Sequence, residues 1–156
     1  MVDPAVQALR TTGHAATPHA LARILTSCPC VTHATPIAVV GAAAAPCQLG
    51  LSAQGFAAVT AASSHGAAML RERYGCLCLM DGPRVASLDA ETLALWRRRL
   101  LPGGTLALDV SMVANREALA AQLSAHDFRM IQYRAHRGAV FLVARLPAAV
   151  PLRRAA

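Results

Sequence analysis

The stretch "PIAVVGAAAAPCQLG", Pro36 to Gly50, holds the residues with the clearest chemical potential. A short β-branched run stops at Gly41, and alanines and Pro46 follow. A strand ending in glycine ahead of a helix is where an α/β domain brings backbone amides toward a bound cofactor. Two acids close later apolar runs, Asp81 in "CLCLMDGP" and Asp109 in "TLALDVS". Asp81 is either a turn residue of Asp-Gly-Pro or a polar group at the rim of a sheet. Asp109 is either a rim group or the partner of an arginine.

Cysteine and histidine supply the other candidates. "CPC" with His33, and "CLC" further on, carry thiols that as thiolates suit zinc. Their spacing is C-x-C rather than C-x₂-C, and on a strand Cys76 and Cys78 would share one face as small apolar residues. No metal site is expected. Cys47 falls near a helix start, where a thiol pKa can be lowered, but no base is paired with it in the sequence. His65 reads as an exposed residue at a helix start or as a general base. There is no P-loop, dinucleotide glycine fingerprint or Ser/His/Asp motif.

The elements that must position these residues alternate. "TPHALARIL" is a helix, with Thr17 as cap, Pro18 in its first turn and Leu21, Ile24 and Leu25 on one face. Residues 4–11 form a shorter one. "PIAVVG" is a buried strand, and a second spans about 56–61. "SHGAAMLRERYG" reads as a helix closed by Gly75, and "CLCLMDG" as a third strand. Ser87 or Asp89 caps a helix through "ETLALWRRRLL", stopped by Pro102-Gly103-Gly104. "TLALDVS" is a fourth strand and "NREALAAQLSAH" a helix. "FRMIQYRAH" and "GAVFLVARL" form an antiparallel hairpin around Arg137-Gly138. Alternating strands and helices make an α/β fold with a mainly parallel sheet, and ligands then bind beyond the carboxyl ends of its strands.

Composition narrows the function. The chain has 156 residues, enough for one cored domain, and a formal charge of +7. All its basic residues are arginine. The charge permits a nucleic-acid partner, but aromatics are only 4%, too few for a base-stacking platform, so that partner is not favoured. Arg97 to Arg99 are the one run, and in the last turn of a helix they complement its dipole. Five cysteines, an odd number, argue against a disulfide framework. No apolar run approaches the roughly 18–20 residues of a membrane helix. The expectation is a cytoplasmic protein, with an organelle matrix as the alternative.

The order of elements resembles the class I S-adenosylmethionine-dependent methyltransferases. "LWRRRLLPGGTLALDV" is similar to that family's helix, Pro-Gly-Gly and strand, and "HDFRMIQYRAHRGAVFLVARLP" to its closing strands six and seven. The resemblance covers residues 36–147. It implies a three-layer Rossmann-like α/β sandwich with a mostly parallel sheet and a C-terminal antiparallel hairpin. A helical extension, 1–35, would precede it and a flexible tail, 148–156, follow it.

The cofactor motifs depart from the family. Gly41 matches the first glycine of the loop, but Ala43 and Ala45 stand where further glycines belong, and Pro46 removes an amide donor. The acid that holds the ribose hydroxyls is replaced within Thr60-Ala61-Ala62-Ser63. About fifteen residues separate the first two strands, which leaves room for one or two helical turns. The family's third strand has no counterpart before Cys76, so the fold is trimmed on the adenine side.

These departures point to a degenerate methyltransferase-like domain that acts as a structural or interaction subunit, against a protein partner or in a homo-oligomer. The alternatives are a small active methyltransferase with an atypical loop and a basic RNA-associated module. If S-adenosylmethionine binds at all, the resemblance assigns it to Gly41, Ala42, Ala43, Ala62 and Asp81. Otherwise there is no cofactor.

Overall fold

The computed structural model describes residues 18–63 and 70–148. The expected helix over 4–11, His65 and the tail beyond residue 148 lie outside them. A six-stranded sheet runs in the order β2-β1-β3-β4-β6-β5. β1 (Ile37–Val40) lies between β2 (Val59–Ala62) and β3 (Tyr74–Leu79), parallel to both. β3 pairs in parallel with β4 (Leu100–Asp109). β5 (Arg129–His136) and β6 (Ala139–Arg145) close the other edge as an antiparallel hairpin. Arg137 and Gly138 have φ of 48° and 83°, so the two-residue turn has positive φ at both centres, which matches the strand twist.

All of β1 is buried, which explains its unbroken apolar sequence. Its side chains alternate between two helical layers. Ile37 and Val39 join a core with α1 (18–26) and α2 (Ala44–Ala53). Ala38 and Val40 face the layer of α3 (Gly82–Ala86), α4 (Ala90–Arg99) and α5 (Arg116–Ala125). Leu21 and Leu25 of α1 have no exposed surface and pack in the core with Ile37 and Val39. Asp89 caps α4, accepting the Thr92 N–H at 2.7 Å, and Asn115 caps α5 through the Ala118 N–H at 3.0 Å.

Three local expectations are corrected. Residues 70–73 are not helical, and Gly75 lies within β3 rather than closing a helix. The Gly75 and Cys76 amides both donate to the Pro36 carbonyl, drawing the chain into the sheet before Cys76. Next, β2 begins at Val59 rather than near Phe56, because Phe56 turns into the core and Ala57 N–H donates to His33 carbonyl. Finally, α2 has 10 residues, more than the one or two turns expected. Its helix-forming alanines start it soon after Gly41, and Pro46 falls in the first turn, where a missing N–H costs no helical bond. The trimming is at the sheet edge: among the described residues no strand lies beyond β2.

Because α1 supplies core, Leu21→Ala should cost about 2–5 kcal/mol of unfolding free energy. Urea denaturation would measure the loss, and a change under about 0.5 kcal/mol, the range of ordinary surface substitutions, would place α1 outside the core.

Candidate functional site

Parallel pairing brings the carboxyl ends of β1, β2 and β3 together. The Gly41 N–H donates to the Ala62 carbonyl at 3.0 Å, and the Met80 N–H donates to the Val40 carbonyl at 2.7 Å. Gly41, Ala62 and Asp81 therefore stand side by side at the rim. Ala42 follows as an exposed loop residue, and Ala43, partly buried against the core, is the N-cap of α2.

Gly41 has φ of 133°. A Cβ built there would lie 2.6 Å from the Met80 carbonyl oxygen and 3.1 Å from Asp81 Cβ. The glycine is thus required by the close passage of two backbones, whether or not a ligand approaches. Ala43 has φ of −96°, ordinary for an L-residue, so its methyl imposes no strain on the loop. Ala45 and Pro46 are exposed on α2 rather than packed over Gly41. No side chain caps α2.

Both rim acids are engaged locally. Asp81 is the N-cap of α3, with Oδ1 accepting the Arg84 N–H at 3.4 Å and Oδ2 3.9 Å from Arg84 Nε. This matches its reading as the turn residue of Asp-Gly-Pro. Asp109 accepts from the Ser111 hydroxyl at 2.7 Å and the Ser111 N–H at 3.1 Å, and Ser111 Oγ in turn accepts the Val140 N–H. Asp109 therefore closes its own loop rather than pairing with an arginine. The arginine run is partly tied down as well. Arg97 pairs with Asp127 at 2.8 Å, and Arg99 Nη1 donates to the Arg71 carbonyl.

The thiols are packed. Cys47 has no exposed surface, and burial followed by the nearby Asp109 charge pushes its pKa up to about 12. That is opposite to the lowering expected at a helix start, because the side chain points into the core rather than at the first-turn amides. Cys76 and Cys78 share one face with Sγ atoms 3.7 Å apart. The hydrogen bond with Cys76, then burial, raise the Cys78 pKa. His33 packs edge-on against Phe56, with ring centroids 4.8 Å apart. Among the described residues no group of three or more His, Cys, Asp or Glu is placed to hold a metal.

No family model matches the chain, and no curated protein matches it in sequence. Solved structures do match. One is a ribosomal protein L11 methylase from Lactobacillus delbrueckii subsp. bulgaricus, at TM-score 0.62 and 10% identity over 81% of this chain and 77% of that one. The fold is that of the class I methyltransferases. DesVI from Streptomyces venezuelae aligns at TM-score 0.60 and 13% identity, over 95% of this chain and 100% of that one. An S-adenosylmethionine-bound amino pentose methyltransferase from Micromonospora echinaspora aligns at 0.52 and 13%, over 93% and 97%.

Sequence reasoning missed two contacts, one at this methyltransferase-like rim and one at the amino end of β2. Met112, beyond β4, reaches across to Gly82, where an added Cβ would meet its Sδ at 3.0 Å. Gln48 Nε2 on α2 donates to the Val59 carbonyl, tying the helix to the edge strand. Neither leaves a local signal, since each joins separate turns of chain.

Gly41→Ala should destabilise the fold by at least about 2 kcal/mol, since both φ and the Met80 carbonyl oppose a methyl group. Thermal unfolding would detect it, and a neutral result would refute the packing role. In native protein at pH 8, exposed Cys30 should be the one thiol that reacts rapidly with Ellman's reagent, while Cys28, Cys47, Cys76 and Cys78 are buried. Cys47, raised from 9.0 to about 12, stabilises the fold fully below pH 9, and this contribution declines as pH rises toward 12. Cys47→Ala should flatten that alkaline decline in denaturation curves.

Proposed function

We propose that this methyltransferase-like domain no longer uses S-adenosylmethionine and serves as a structural or interaction subunit, against a partner chain or a second copy of itself. The observation that carries the reading is the end of β2. The strand finishes at Ala62 followed by Ser63, and the sequence holds no acidic residue between Asp3 and Glu72. A hydroxyl or methyl there cannot replace a carboxylate that accepts from both ribose hydroxyls. Asp81 and Asp109 are engaged within their own loops, and Gly41 has a packing reason to be glycine. The open edge of β2 among the described residues offers backbone groups for pairing with another chain.

The second reading is a small active methyltransferase. Its support is the convergence of Gly41, Ala62 and Asp81 at one rim, in a fold shared with a structure that holds S-adenosylmethionine. The cofactor would then lie across Gly41 to Ala43 beside Asp81. It would supply the methyl group, and these residues would orient it toward a nucleophile by proximity.

Calorimetric titration with S-adenosylmethionine and S-adenosylhomocysteine separates the two. The expected outcome is no binding up to millimolar ligand. Micromolar binding would overturn the proposal in favour of the enzyme.

A further inference from the structure

The sheet face that carries α1 and α2 is unevenly covered. Both helices join a core that runs from β1 and β3 to Ala107 of β4 and Phe141 and Val143 of β6, while β5 at the far edge presents Gln132, Arg134 and His136 at alternate positions. Just past the end of α1, Ser27 Oγ accepts from Arg134 Nη1 on that edge at 3.1 Å. Two cavities share Arg134. One, of about 490 Å³, is lined by Arg23, Arg134 and His136. The other, of about 220 Å³, is lined by Arg134, Arg145, Thr105 and Cys30.

Among the described residues, no carboxylate lines either cavity to balance the charge in this groove. The ion pairs among the described residues, Arg84–Asp81 and Arg97–Asp127, lie elsewhere. Arg134 gives its other terminal nitrogen to Gln132 Oε1, a neutral acceptor. Arg145 has weaker partners, Met130 Sδ at 3.9 Å and the Gly103 carbonyl at 3.5 Å. Arg134 Nε, Arg145 Nε and His136 Nε2 are all buried without a partner. His19 stacks near His136, with centroids 5.7 Å apart. Desolvation, then the charges of Arg137, His19 and Arg23, hold the His136 imidazole below its usual pKa. Half-buried cations held by neutral groups repel one another until an anion arrives.

We infer that the groove between α1 and the β5–β6 hairpin binds phosphoryl groups, held between Arg23, Arg134, His136 and Arg145. A single guanidinium fork satisfies a carboxylate. A phosphoryl group offers more acceptor oxygens and suits several donors, here Arg23, Arg134 and His136 in one cavity and Arg134 with Arg145 in the other. The site lies on a sheet face rather than at the rim of Gly41, Ala62 and Asp81. It stands independently of whether that rim holds a cofactor.

The test is calorimetric titration of the full chain with inorganic pyrophosphate at low ionic strength. Wild type should bind. Arg134→Gln and Arg145→Gln should each weaken binding by about tenfold or more, and Arg97→Gln, in the other arginine cluster, by less than about twofold. Thermal melts check folding, and Arg23→Gln, exposed on α1, carries the test if Arg134→Gln unfolds. A second arm adds a single-stranded RNA oligonucleotide. Displacement of pyrophosphate with a steep salt dependence assigns the phosphoryl groups to a nucleic-acid backbone. Pyrophosphate binding that RNA leaves undisturbed assigns them to a small phosphorylated molecule. The inference is overturned if neither probe binds, if the groove variants bind like wild type, or if Arg97→Gln is the variant that abolishes binding.

Discussion

The rim depends on the close backbone approach at the end of β1. Val40 accepts from Met80, Gly41 donates to Ala62, and the Met80 carbonyl passes so near Gly41 that a side chain cannot fit between them. This arrangement brings three parallel strands to a common end and starts α2 and α3 on opposite faces of the sheet. A buried amide left unpaired here would be costly, so the three chain segments hold one another in place. The glycine that suggests a cofactor loop is therefore also a demand of the fold.

That double role separates architecture from activity in this chain. The sheet order, the two helical layers and the C-terminal hairpin are those of a class I methyltransferase. The chemistry that fold commonly carries needs particular groups at the rim, and those groups are a different matter from the strands. Ala62 and Ser63 preserve the end of β2 without offering a carboxylate, while Asp81 and Asp109 cap and close the turns they begin. Register is set by backbone pairing and by the buried faces, whatever side chains stand at the strand ends.

Charge is distributed by the same logic. Both layers bury apolar side chains against the sheet centre, so arginines collect at its edges. On one side Arg97 finds Asp127. On the other, the acid-free stretch before Glu72 supplies α1 and the loops around it, and among the described residues Arg134 and Arg145 meet neutral partners.

Much of the fold was legible in the sequence because its signals are local. β-branched runs, the cap at Asp89, one of the two the sequence offered, and the Arg137-Gly138 turn each depend on neighbouring residues. That residues 70–75 of the expected helix are not helical has the opposite reason: the pull of the Pro36 carbonyl comes from a distant segment of the chain. Of the candidates read from the sequence, the structure places Gly41, Ala62 and Asp81 side by side at the ends of β1, β2 and β3. Only the tertiary structure decided that Gly41 faces the Met80 carbonyl, that Cys47 points into the core, and that Arg23, Arg134, His136 and Arg145 line one groove. Those outcomes join segments far apart in the chain. Strand order and register set them, and no local pattern of side chains encodes either.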